Sequence, residues 1–82
     1  MNETRKRLRK AITKMSRREA TAWLTSFKIR EEEEQAILLC DIYGMSAVAA
    51  ADKMHISPEL VSRRRASGYD RIYRDLNGVI PS

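Results

Sequence analysis

The chain holds one cysteine, one histidine, two prolines and three glycines in 82 residues. A lone Cys40 cannot close an intrachain disulfide, which points to a reducing, cytoplasmic setting. It lies on an apolar face with no base at a readable distance, which argues against a nucleophile. A lone His55, in what reads as a turn, has no second histidine, partner cysteine or downstream carboxylate cluster, so metal binding and catalysis are not expected. There is no glycine-rich phosphate loop, and no Ser/His/Asp set is possible around one turn histidine. The expectation is a non-enzyme with no cofactor and no metal. No apolar run reaches the length of a membrane span or a signal-peptide core, so neither membrane anchoring nor secretion is expected. The scarcity of Gly and Pro suits an all-α build. With 43% hydrophobic and 33% charged residues the chain reads as globular. Its length allows a single domain, 1–82, whose core is too small to enclose a large substrate.

What is present is charge, unevenly spread. Residues 1–30 carry ten Lys/Arg against two acids, a net +8. Residues 31–54 carry one Lys against six acids, a net −5, and residues 55–82 carry five Arg against three acids, a net +2. A basic surface attracts phosphates and adds affinity independent of sequence. The acidic middle would be repelled by DNA, so it should face away from it or meet a basic partner.

The organising stretch is residues 46–65, SAVAAADKMHISPELVSRRR. Ser46 is a natural N-cap for a first short helix, and Ala47 to Met54 are nearly all good helix formers. His55, Ile56 and Ser57 interrupt the pattern. Ser57 caps a second helix with Pro58 at its first position and Glu59 in its first turn. Ala50 and Ala51 let another helix cross closely, while Met54, Ile56 and Val61 supply apolar contacts. This is a helix-turn-helix pattern, with Arg63, Arg64 and Arg65 on the helix that would face DNA.

From residue 29 to 76 the chain resembles region 4 of bacterial sigma-70-type factors and related regulators. The residues that carry the resemblance are Arg30 with Glu31, Glu32, Glu33 and Glu34; Ala36, Ile37, Leu38 and Leu39; Tyr43, Gly44, Met45 and Ser46; Ala50 and Ala51; Ile56 and Ser57; and Val61, Ser62, Arg63 and Arg64. Two positions depart from the pattern. His55 replaces the turn glycine, which the left-handed tolerance of His permits. Arg64 falls where an apolar residue is usual, so either the helix is rotated or the arginine reaches out of a thin core. The resemblance implies promoter DNA binding and docking on RNA polymerase. No stretch resembles the promoter-melting part of a sigma factor, so a stand-alone regulator of the phage or mobile-element kind is expected.

The remaining segments read as helices. Residues 2–15 place Leu8, Ala11, Ile12 and Met15 on one face, with Arg5, Lys6, Arg7, Arg9, Lys10 and Lys14 on the other. That face either contacts phosphate or simply keeps the chain soluble. Ser16, Arg17, Arg18 and Glu19 form a capping box for a second helix carrying Ala20, Trp23, Leu24 and Phe27. The two aromatics could stack on bases, but their helical spacing favours a core role. Residues 1–28 are thus a basic helical extension to the sigma-like part.

A third helix is expected over residues 31–43, burying Ala36, Ile37, Leu39, Cys40 and Tyr43 and ending at Gly44. Its four glutamates suit the helix dipole, and a contact with a basic partner is an alternative. Tyr69, Ile72, Tyr73 and Leu76 extend the last helix, interrupted only by Gly68, and 77–82 is a stop signal and tail. Its far end either packs back on the N-terminal helices, covering Trp23 and Phe27, or forms a homodimer contact. The fold expected is a bundle of about five helices.

The mechanism expected is sequence-specific binding of double-stranded DNA by a transcriptional regulator. Ser57, Pro58 and Glu59 would lie at the leading end of the helix in the major groove, with Ser62, Arg63 and Arg65 further along. Arg63 would make a bidentate contact to guanine, and Glu59 would accept from a cytosine amino group. Arg64, Arg65, Ser57 and the basic helix with Arg5, Arg7 and Lys10 would grip phosphates. Two alternatives stay open. One is an adaptor that binds RNA polymerase or a sigma factor instead of DNA; the other is an accessory protein of DNA packaging or recombination.

Overall fold

A computed structural model describes residues 3–77, and among these it contains five α-helices and no strand. They are α1 Glu3–Thr13, α2 Arg17–Thr25, α3 Glu31–Ile37, α4 Ala47–Met54 and α5 Pro58–Asp75. The expected all-α bundle is therefore the fold that forms. Asn2, the first residue of the helix expected from position 2, and Gly78 with the tail beyond it, lie outside the described residues.

Local chemistry sets most of the helix boundaries. The Glu19 N–H donates to Ser16 Oγ at 3.1 Å and the Ser16 N–H donates back to Glu19 Oε1 at 3.4 Å, the reciprocal box read from the sequence. Ser46 Oγ accepts from the Ala49 N–H at 3.1 Å, and Ser57 Oγ accepts from the Leu60 N–H at 3.2 Å ahead of Pro58. His55 ends α4 in the left-handed region, at φ 59° and ψ 41°. The Ile56 N–H then donates back to the Ala51 carbonyl at 3.1 Å, which satisfies a carbonyl the helix end would otherwise orphan.

The third helix departs from expectation. Its α-helical winding stops at Ile37, and Leu38–Ile42 wind as a wider π-helical turn. The Tyr43 N–H closes that turn on the Leu38 carbonyl at 3.0 Å. Such a turn accommodates one extra residue and rotates the residues beyond it, and no side-chain pattern in the stretch marks it. Gly44, at φ 73°, ends the segment as expected. Tyr43 was expected in the buried face, yet it is 42% exposed because the π turn carries it outward. Arg17 covers it instead, its guanidinium carbon 4.8 Å from the ring centre.

Two apolar clusters share two helices, α3 and α5. Leu8 and Ile12 of α1, Ala20 and Leu24 of α2, Ile37 of α3, and Tyr69 and Ile72 of α5 make the first. Ala36, Leu39, Ala50, Ala51 and Val61 make the second. α5 thus spans both, its first turns against α4 and its later turns against α1 and α3. Each fully buried aliphatic side chain here, such as Leu8, Leu24 or Ile72, contributes about 1.5–3 kcal/mol. Trp23 and Phe27 meet edge to face at 4.8 Å on the rim of the first cluster, where Tyr73 and Leu76 also pack. The far end of α5 packs back on the N-terminal helices, and α1 and α2 are built into the core.

Gly68 looks like a gap in the apolar stripe of α5. It is a close-approach point. A Cβ there would meet Ile37 Cδ1 at 2.7 Å and Glu33 Cβ at 3.2 Å, so α3 and α5 cross at this residue. No helix among the described residues is long and apolar enough to cross a membrane.

Candidate nucleic-acid interface

The acidic stretch 31–41 is engaged within the chain, by arginines of α5. Three carboxylates there hold three of its arginines. Arg64 Nε donates to Glu32 Oε1 at 2.8 Å on the surface. Arg65 donates twice to Asp41, from Nε at 3.1 Å and from Nη2 at 2.6 Å, while the Tyr69 hydroxyl donates to the same carboxylate. Glu33 takes the Arg71 Nε at 3.1 Å, the Ser67 hydroxyl and the Arg30 N–H.

Glu33 and Asp41 are the residues that sequence reasoning missed. Glu33 is only 2% exposed, although it stands in a run of four glutamates that looks solvated. Burial by itself would raise its carboxyl, but Ser67, the Arg30 N–H and Arg71 outweigh that and hold it below the usual carboxylate range. Burial pushes the Tyr69 hydroxyl far up, and the Asp41 charge beside it adds to the shift. Burial likewise raises the Cys40 thiol. The one available signal was a lone Asp41 in an apolar stretch, with Arg65 and Tyr69 one turn apart to receive it.

Against this network the sequence-assigned residues separate into groups. Glu59, Ser62 and Arg63 are exposed on the first half of α5, and no hydrogen bond or ion pair to another described residue engages their side chains. Helical spacing puts residues 59, 62, 63 and 66 on one face. Ser57 is exposed with its hydroxyl engaged as the N-cap, and Pro58 is half-buried.

The arginines assigned to phosphate are more constrained. Arg64 and Arg65 have the acidic partners just given. Arg5 donates to Asp70 from Nε at 3.1 Å and Nη2 at 2.9 Å, which raises the guanidinium pKa. Arg7 lies 3.9 Å from Glu3, an exposed and weak pair, and Lys10 is exposed. The triplet at 63, 64 and 65 therefore projects one uncommitted guanidinium, that of Arg63.

α1 adds the larger share of open positive charge. It runs counter to α5: Thr4 lies by Tyr73 and Arg74, Arg5 by Asp70, and Arg9 by Arg65 and Ser62. Its outer face carries Lys6 and Lys10, and Lys14 follows just past its end. The open basic face of α1 and the exposed face of α5 therefore adjoin. No group of three or more His, Cys, Asp or Glu among the described residues could hold a metal ion. Compared with protein-family models, curated proteins and solved structures, the chain matches none.

Proposed function

We propose that the chain is a sequence-specific DNA-binding transcriptional regulator whose α4, turn and α5 act as a helix-turn-helix, with the first half of α5 in the major groove. The observation that carries this is the exposure of Glu59, Ser62 and Arg63 on one face of α5, just past a left-handed turn and beside the basic face of α1. Arg63 is the base reader, because its fork matches O6 and N7 of guanine. Glu59 accepts from a cytosine amino group. Ser57 and α1, through Lys10 and Arg7, contact phosphates and set register.

The test is selection of bound sites from a random duplex library, followed by affinities across a salt series for the wild type and Arg63→Ala. The expected result is a shared site whose affinity falls steeply with salt, and a loss of about 1–3 kcal/mol with relaxed selectivity at one base pair in the variant. Absence of duplex binding at low salt would end this reading.

A second reading has its own observation. Val48 is 68% exposed and lies on α4, and Tyr43, 42% exposed beside the Arg17 guanidinium, precedes that helix. Apolar groups on that side suit contact with a protein such as RNA polymerase, as the resemblance to sigma region 4 implies. Loss of polymerase binding in Val48→Asp, with DNA binding intact, would support docking as a separate surface.

A further inference from the structure

Between α1 and α5 lies a cavity of about 290 Å³ lined by Arg5, Arg9, Ser62, Arg65, Ala66 and Tyr69. Three guanidiniums line this space, and two of them are held by carboxylates outside its lining. Asp70 takes Arg5 through two N–H donors, and Asp41 takes Arg65 the same way. Arg9 has no carboxylate partner among the described residues. The cavity therefore carries a surplus of one positive charge, held beside two other guanidiniums. Arg9 also borders a neighbouring hollow with Lys6, Lys10 and Thr13, so the surplus continues along the open face of α1.

An anion would relieve this crowding. The Ser62 hydroxyl lines the same cavity and supplies a neutral donor, whereas the Tyr69 hydroxyl is committed to Asp41. One guanidinium fork and one hydroxyl suit the tetrahedral oxygens of a phosphate. Ser62 immediately precedes Arg63, so an anion seated here lies next to the residue proposed to read a base. In duplex DNA the strand phosphates border the groove that a recognition helix occupies.

We infer that the α1–α5 cavity seats a backbone phosphate of double-stranded DNA on Arg9 and Ser62, with Arg5 and Arg65 as positioning residues held by Asp70 and Asp41. This rests on the DNA-binding reading. It makes α1 a phosphate clamp that fixes how far α5 slides along the groove, and it assigns that role to an inward-leaning arginine.

The experiment measures affinity for a duplex containing the selected site, across a chloride series, for the wild type, Arg9→Gln, Arg9→Lys and Arg63→Ala. One lost phosphate contact lowers the slope of log affinity against log salt by about 0.9. Arg9→Gln is expected to show that drop, with affinity weakened equally on specific and random duplex. Arg9→Lys retains the slope, and unchanged thermal melting of both variants excludes a structural cause. Arg63→Ala changes site preference instead. A wild-type slope in Arg9→Gln overturns the phosphate seat while the DNA reading stands; a wild type that binds no duplex ends both. Amide NMR shifts of Ser62 and Ala66 on titrating inorganic phosphate at constant ionic strength separate the sources. Saturable shifts without DNA binding would reassign the cavity to a free anion and overturn the proposal.

Discussion

Arg65 and Asp41 meet through two parallel N–H···O contacts, 3.1 and 2.6 Å long, across the seam between α5 and the π turn. The Asp41 side chain is 5% exposed, and the Tyr69 hydroxyl satisfies it from a third direction. An arginine in a basic triplet on a candidate recognition helix is thus half-buried and tied to a buried carboxylate.

Removing one member of this pair leaves the other charged and poorly solvated. Asp41→Ala is expected to cost about 3 kcal/mol, and Arg65→Ala a comparable amount. Arg63→Ala should stay within about 0.5 kcal/mol of wild type, since nothing inside the protein holds it. Urea denaturation of the three variants checks the contrast. Equal midpoints for Arg63→Ala and Arg65→Ala would show that the Asp41 contact contributes nothing.

Glu33 should make stability depend on acid. Its folded pKa lies below its unfolded value, so the charged form is favoured in the native state. The contribution is complete above the unfolded pKa of about 4.3 and is lost as pH falls from there through the lowered folded value. Glu33→Gln removes this component at every pH. Denaturation midpoints at pH 7, 5 and 3 should therefore converge for wild type and Glu33→Gln at the acid end. A constant gap would mean that Glu33 titrates alike in both states.

Gly68 sets how closely α3 and α5 approach. Gly68→Ala gains helix propensity of about 1 kcal/mol but forces a Cβ against Ile37 Cδ1. Overpacking of this kind costs about 1–3 kcal/mol, so a net loss of about 1 kcal/mol is expected. Ile37→Val removes the opposing methyl and should restore much of that loss in the double variant. A stabilised Gly68→Ala, read from its thermal midpoint, would show that the crossing has slack.

Local grammar was legible where interactions are local. Ser16 with Glu19, Ser46, and Ser57 with Pro58 mark helix starts because each cap bonds an amide two or three residues away. The apolar spacing of Leu8 and Ile12, of Ala20 and Leu24, and of Tyr69 and Ile72 identified the first core for the same reason. His55 at a turn needing positive φ was readable from the tolerance of its side chain for that region.

Which charges face solvent was decided only by the assembled fold. Successive residues on a helix point about 100° apart. Arg63, Arg64 and Arg65 therefore cover most of the circumference, and their fates depend on what packs alongside. Gly68 brings α3 close enough for Glu32 and Glu33 to reach across, and the π turn carries Asp41 under Arg65. Neither event leaves a periodic trace, because each depends on two segments some 24 to 38 residues apart meeting at one height. Sequence by itself determined five helices and the basic ends. Tertiary contact chose Arg63 as the open guanidinium of the triplet, because the carboxylates of α3 and the π turn neutralise the other two.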